Sequence, residues 1–175
     1  MCSILTHPIV PVALSVYLPR EAATSTLIVT GAVCSIVPDL DVIGFGFGVN
    51  YNDMLGHRGV THSIMFAAAL SAILSFTLFR NAQVSYWVIF LFLFASTLSH
   101  TLLDMLTNGG LGVALFAPFS NERYFFPWRP IQVSPIGIDS FFSDWGARVI
   151  VSELRWVWLP SAVVFAVGNI ARRYG

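Results

Sequence analysis

The chain has 175 residues, of which 56% are hydrophobic and only 10% are charged, and its formal net charge is zero. Soluble domains carry about 25% charged residues, so this composition indicates a membrane protein and excludes an ordinary soluble domain. Because basic residues are not in excess, direct binding to nucleic acid is not expected.

Apolar runs separated by helix breakers predict five helices in an all-α integral membrane bundle of about five spans. In chain order, the predicted helices cover residues 4–18, 22–37, 61–79, 84–106 and 149–171. We expect a single membrane-embedded domain over residues 1–175. His7 and Pro8 interrupt the first apolar run, so no cleavable signal peptide is expected.

Two segments between the predicted helices have distinct compositions. Residues 39–60 are rich in glycine and polar side chains, with alternating Gly and Phe at 44–48, which predicts a functional loop rather than a linker. Residues 108–148 combine aromatic side chains with arginine, as is typical of the membrane–water interface. We expect this second segment to be ordered but not to cross the membrane.

Most histidines of this apolar chain, together with several aspartates, fall in three short segments, 38–41, 57–63 and 100–104. If the spans alternate in direction, the starts of helices one and three and the ends of helices two and four lie on the same side of the membrane. The histidines and aspartates that this topology gathers at one face are His7, Asp39, Asp41, His57, His62, His100 and Asp104.

The spacing of His100 and Asp104 adds a second constraint, because residues four apart share one face of a helix. Both can bind one metal ion, or one can bind it while the other orients a partner. A purely structural pair is the alternative, but ionisable groups within the membrane usually line a functional cavity. For Asp39 and Asp41 a capping or turn role is an equal alternative, and His7 alone would be an interfacial residue.

Three stretches carry a resemblance to a known family: Pro38-Asp39-Leu40-Asp41, His57-Arg58-Gly59-Val60-Thr61-His62-Ser63, and Ser99-His100-Thr101-Leu102-Leu103-Asp104 followed by Thr107-Asn108-Gly109-Gly110. They resemble the signature of the YdjM family, whose members are described as LexA-regulated metal-dependent hydrolases of the inner membrane. The resemblance covers residues 5–130 and implies a multi-pass protein of the inner membrane with a metal-dependent activity.

The family is in turn similar to zinc-dependent phospholipase C and the P1-type nucleases, which are all-helical enzymes with His and Asp zinc ligands on several helices. His100 and Asp104 match the HxxxD pair that those enzymes use. They commonly carry a second such pair, which this chain lacks. The resemblance therefore implies one or two metal ions rather than three.

The metal ligands that we expect are His57, His62, His100, Asp104 and one or both of Asp39 and Asp41, with His7 as a further candidate. A carboxylate outside the ligand set, Asp39 or Asp41, is the candidate general base. Arg58 is expected to bind a phosphate oxygen through its forked donors, although a role as a charge partner is commoner for such a residue. Histidine and aspartate without cysteine favour zinc and leave manganese and iron open.

We therefore expect a membrane-bound metal-dependent hydrolase, such as a phosphoesterase, acting on a membrane lipid or another small molecule at the interface. The alternative is a non-catalytic membrane protein, either an ion or proton pathway or a regulatory partner, that uses the same residues. A pathway should place ionisable residues at mid-depth and on both sides, whereas here they gather at one face.

The arginines on the opposite side predict the orientation in the membrane. By the positive-inside rule, they indicate a cytoplasmic C-terminus and an outward-facing site. These arginines are Arg20, Arg80, Arg172 and Arg173.

Overall fold

The computed structural model describes residues 1–174, and for Ile138 the backbone only. Within this range the protein is all-helical, and β pairing is limited to isolated bridges. The α-helices are α1 (Ile9–Leu14), α2 (Ser25–Cys34), α3 (Ile64–Thr77), α4 (Tyr86–Met105), α5 (Ile138–Phe141), α6 (Asp144–Glu153) and α7 (Leu159–Tyr174).

Shorter helical turns link these elements. The 3-10 helices are Ser15–Tyr17, Val37–Phe47 and Val60–His62, and a π-helical turn, Leu154–Trp158, joins α6 to α7. Between α4 and α5 the chain is irregular, and isolated bridges pair Thr107 with Ile131 and Val113 with Tyr124. This segment contains no helix long enough to span, but the long helix that begins at Asp144 takes in the last five residues of the predicted non-spanning segment 108–148.

Two helices are long and apolar enough to cross a membrane: α4, of 20 residues, and the continuous helix Asp144–Tyr174, of 31 residues. The pair formed by α2 and Val37–Phe47, bent by 40°, passes the same test only as a unit. With 14 residues, α3 extends about 21 Å, less than a hydrocarbon core of about 30 Å. The described residues thus form a helical membrane protein with two or three candidate spans, and the prediction of about five is not confirmed.

Proline and glycine explain where the helix boundaries differ from the predicted ones. The first predicted helix is divided into α1 and the 3-10 helix Ser15–Tyr17 that continues it, and α1 begins only at Ile9, because Pro8 has no amide hydrogen to extend the helix toward residue 4. The second ends at Cys34, and Pro38 instead lies in the first turn of the next 3-10 helix, where a missing N–H is tolerated. The Gly-Phe run at 44–48 therefore lies within this 3-10 helix and at its end, rather than in a flexible loop. Gly48 ends the helix with a φ of 80°, which glycine adopts readily.

A close contact between α2 and α4 is centred on Gly31. A Cβ at this position would lie 2.5 Å from Cε1 of Phe92 and 2.9 Å from Oγ of Ser96. Small residues at helix contacts let the two backbones approach each other in membrane proteins. Buried side chains beside the contact form one of two hydrophobic clusters of the described residues, namely Leu18, Ala22, Leu27, Cys34, Ile89, Phe92 and Leu93. This packing brings the end of α2 beside the second half of α4.

Gly31→Leu is expected to destabilise the protein by about 1–3 kcal/mol, because the added side chain overpacks the contact between α2 and α4. Val33→Leu, at an exposed position of the same helix, is the matched control and should leave stability unchanged. Thermal unfolding of both variants in one detergent measures the difference. Equal melting temperatures would contradict the close packing at Gly31.

Candidate metal centre

The structure brings all of the predicted histidines and aspartates into one buried cluster. The side chains come from the turn before α1 (His7), the 3-10 helix Val37–Phe47 (Asp39, Asp41), the segment leading into α3 (His57, His62) and the second half of α4 (His100, Asp104). The four histidines and Asp104 are completely buried. An apolar bundle thus encloses a strongly polar interior.

Four of these side chains form a group with the dimensions of a metal site. Nε2 of His62 lies 3.0 Å from Nε2 of His100, and Oδ1 of Asp39 lies 3.6 and 3.4 Å from these two nitrogens. Oδ2 of Asp104 is 3.7 Å from Nε2 of His62. Zinc ligands at about 2.0–2.1 Å from the ion and at tetrahedral angles lie about 3.3 Å apart. The four residues can therefore surround one divalent cation.

His7 lies against this group without forming a hydrogen bond. Its ring stacks on that of His100 with the centroids 3.7 Å apart, and its Nε2 is 3.8 Å from Asp39 Oδ2 and 4.0 Å from Asp104 Oδ1. Within the described chain, neither nitrogen of His7 and neither oxygen of Asp39 has a hydrogen-bond partner. Buried polar atoms are normally paired, because an unpaired one loses its hydration without compensation. These unpaired atoms fit the coordination of a cation.

A backbone carbonyl fixes the orientation of the His100 ring. Nδ1 of His100 lies 2.7 Å from the carbonyl oxygen of Ser35, which follows the last residue of α2. A carbonyl oxygen only accepts, so Nδ1 carries the hydrogen and Nε2 keeps its lone pair for the centre of the cluster. Metal-binding histidines are commonly oriented in this way by a second group.

Asp41 occupies a different position from Asp39, because both of its oxygens are hydrogen-bonded. Oδ1 lies 2.7 Å from Nδ1 of His57, while Oδ2 accepts from Oγ1 of Thr61 at 2.8 Å and lies 3.2 Å from Nδ1 of His62. Nε2 of His57 is buried without a partner, and Asp41, His57 and His62 are close enough to hold a second cation. Asp41 therefore either orients the two rings or shares such a cation with them.

Arg58 is completely buried and is bonded to groups of the protein itself. Its Nε donates to Oδ2 of Asp104 at 3.0 Å. The remaining contacts reach Oγ1 of Thr107 and the carbonyl oxygens of Gly109 and Leu111. Its φ of 63° is unusual for a residue with a side chain. These contacts make Arg58 the charge partner of Asp104, and its role in binding phosphate stays a prediction.

The charges of the cluster favour a cation. The three carboxylates of Asp39, Asp41 and Asp104 outnumber the positive groups paired with them, the guanidinium of Arg58 and the amino group of Met1, so net negative charge remains when the imidazoles are neutral. Burial alone would lower the pKa of His62, but the carboxylates of Asp39 and Asp41 outweigh burial and raise this pKa to about 9. A metal ion must displace that proton, so its binding strengthens as the pH rises toward this value.

Sequence analysis missed Glu153 and two backbone groups beside the cluster, the carbonyl of Ser35 and the N–H of Cys2. The N–H of Cys2 donates to Oδ1 of Asp104 at 2.9 Å. Glu153 is completely buried and accepts hydrogen bonds from the segment that leads to His7. Backbone groups leave no signal in a sequence. Glu153, in contrast, did leave a signal, because it is an acidic residue inside a predicted apolar helix, and such residues are rare and often functional.

Fold and cluster together define a helical membrane protein with a buried group of histidines and aspartates suited to a metal ion. The family model described as YdjM inner membrane protein matches residues 1–174, and this chain belongs to that family. Inner membrane protein YbcI of Escherichia coli (strain K12) is 39% identical over 170 residues, which cover 95% of this chain and 96% of that protein. No solved structure matches the chain. The family resemblance is confirmed, and it supports a location in the inner membrane.

Arg58→Leu is expected to destabilise the protein by about 3–5 kcal/mol, because it leaves the buried carboxylate of Asp104 without its charge partner. The exposed Arg129 provides the control, since Arg129→Leu removes an arginine without creating a buried unpaired charge. Thermal unfolding and yield after detergent extraction are the measurements. If both variants unfold at the wild-type temperature, the ion pair does not stabilise the fold as described.

Proposed function

We propose that the protein is a membrane-bound metal-dependent hydrolase. The observation that supports this most directly is the set of unpaired, buried atoms of His7 and Asp39 beside the His62–His100 pair. Three imidazoles and two carboxylates, with Asp104 as the second, form a ligand set for a divalent cation. Nitrogen and oxygen donors without a thiolate favour zinc, and manganese and iron are also compatible.

A cation held by these residues would supply Lewis acidity and bring the pKa of a water molecule toward about 7. The protein fixes the ligand atoms and provides a proton acceptor. We assign this acceptor to Asp39, because one oxygen can contact the cation while the other, which has no hydrogen-bond partner, takes a proton. Asp41 is less suited to this role, since both of its oxygens already accept hydrogen bonds.

An apolar cavity supports a lipid, or another amphiphile at the membrane interface, as the substrate. The cavity has a volume of about 450 Å³, and its lining includes Ile4, Leu5 and Val42. Val42 follows Asp41 in the chain, and the lining extends through residues next to Cys2, whose N–H contacts Asp104. Ligand sites are mostly apolar and have volumes of about 300–1,000 Å³. In this proposal the ester group lies at the cluster and an acyl chain in the cavity.

The alternative is a non-catalytic role, in which the same residues would carry ions or protons. That role predicts a different placement of the ionisable residues. Such a pathway places ionisable groups along the depth of the membrane. The seven histidines and aspartates instead lie in contact with one another in one cluster, with the hydrogen-bond and ion-pair distances described above. This concentration favours the hydrolase over the pathway.

Metal content is the first test. Purified in detergent with its affinity tag removed, the wild type is expected to contain zinc or manganese in a fixed molar ratio. His62→Ala and His100→Ala should lose that metal, because each removes a nitrogen from the central group. Elemental analysis gives the ratio, and Ile73→Ala, at an exposed position of α3, is the control.

Metal bound by the wild type and lost from both histidine variants would justify a screen of phosphoester and carboxyl-ester lipids for hydrolysis. A folded wild type that stays metal-free after incubation with zinc and manganese would contradict the proposal. That result would favour the non-catalytic role.

Orientation in the membrane provides a separate prediction. Arg20 donates to the carbonyl oxygen of Arg172 at 3.3 Å, so these arginines lie at the same end of the protein. By the positive-inside rule this end, with the C-terminus, should face the cytoplasm. A C-terminal phosphatase reporter that works only outside the cytoplasm is expected to stay inactive, while a fluorescent protein at the same position should be bright. The opposite pair of results would reverse the orientation.

A further inference from the structure

We propose that Glu153 is a positioning residue for the metal centre, which it serves by holding residues 3–6 so that His7 enters the cluster. The inference rests on the proposed function, since it assigns His7 a place among the metal ligands. Glu153 is the last residue of α6 and lies outside every motif identified in the sequence. It therefore ties the C-terminal helix to the centre.

The carboxyl group of Glu153 contacts the N-terminal segment at both ends of one turn. Oε1 accepts from the backbone N–H of Ser3 at 2.5 Å. Oε2 accepts from the hydroxyl of Ser3 at 2.5 Å and from that of Thr6 at 2.7 Å. Three donors thus come from two residues of a single four-residue turn, which is closed by a bond from Thr6 N to Ser3 O.

The burial of Glu153 indicates that this contact has a specific role. Its side chain is completely buried, and no basic residue of the described chain forms an ion pair with it. A buried carboxyl group without a charge partner is unfavourable unless hydrogen bonds satisfy it, and an apolar residue would pack there at no such cost. Unlike an apolar residue, a carboxyl group at this position can accept hydrogen bonds from Ser3 and Thr6.

The residues on either side of the turn that Glu153 holds, Cys2 and His7, both contact the cluster. Cys2, just before Ser3, donates its N–H to Oδ1 of Asp104. His7, just after Thr6, stacks on His100 and makes no hydrogen bond of its own. No hydrogen bond fixes the side chain of His7 in the described chain, and its nearest polar atoms, in Asp39 and Asp104, are 3.8 and 4.0 Å away. The backbone turn that Glu153 holds therefore contributes directly to placing this ring against His100.

A second bond from the same helix strengthens the anchor. Nε1 of Trp158 donates to Oγ1 of Thr6 at 2.8 Å. Trp158 closes the π-helical turn that follows Glu153, and single π turns within α-helices frequently occur at functional sites. The wider turn allows residues 153 and 158, five apart, to contact the same threonine.

The test compares Glu153→Ala, Glu153→Gln, His7→Ala and the double variant Glu153→Ala/His7→Ala, as full-length protein in detergent. Ser71→Ala is the control, because it removes a buried hydroxyl bond to Ala67 within α3. Hydrogen exchange of residues 2–7 is the first measurement. Exchange should be at least about tenfold faster in the alanine variant at position 153, close to wild type with glutamine, and unchanged in the control.

The zinc affinity of the same proteins, measured by competition with a chelator, is the second readout. Loss of Glu153 should weaken zinc binding by about 10–100-fold, as losses of outer groups around metal sites do. Adding His7→Ala should cause no further loss, because both changes remove the same interaction. If Glu153→Ala does not fold, Glu153→Asp, whose shorter side chain cannot reach both Ser3 and Thr6, is scored by the same measurements.

Unchanged protection of residues 2–7 in the position-153 variant would overturn the proposal. So would fully additive losses of zinc affinity in the double variant, since Glu153 would then act independently of His7. A folded wild type that binds neither zinc nor manganese would instead contradict the proposed function. Hydrogen exchange would still decide whether Glu153 holds the segment.

Discussion

The ion pair between Arg58 and Asp104 is the interaction on which the rest of the centre depends. Both side chains are completely buried in an apolar protein, where an isolated charge would be strongly unfavourable. The pair engages one oxygen of Asp104, and the N–H of Cys2 satisfies the other. One carboxylate thereby sets the relative positions of α4, the segment before α3 and the beginning of the chain.

The need to give every buried polar side chain a partner also explains why the helices are interrupted beside the cluster. An intact helix uses its own carbonyl groups, but α2 ends at Cys34 and leaves the carbonyl of Ser35 free to orient His100. The 3-10 helix that follows presents Asp39 and Asp41 at a bend rather than from a straight span. Within a membrane, such irregular backbone is tolerated where it is enclosed by protein or lines a cavity.

Sequence patterns predicted the membrane class and the residues of the cluster better than they predicted the helices. Histidine and aspartate are scarce in this chain, so His100 and Asp104 stood out, and the order of apolar runs was enough to place them beside His62. The prediction of about five spans is not confirmed, because apolar composition did not reveal that α3 has only 14 residues or that α2 ends at Cys34 rather than at residue 37. The roles of Asp39 and Asp41 differ through hydrogen bonds that only the folded chain defines. Glu153 belongs to no local motif, since its partners lie about 150 residues away in the chain.

The bond between Glu153 and Ser3 also has a consequence for the order of events during biosynthesis. Chains emerge from the ribosome with the N-terminal part first, so residues 3–7 are made long before the helix that holds them. Until Glu153 has been synthesised and its helix has docked, His7 has no anchor and Asp104 lacks the fixed backbone donor from Cys2. The centre is therefore completed only when nearly the whole chain is present. A nascent or truncated chain that lacks the last helix would sit in the membrane without a finished site.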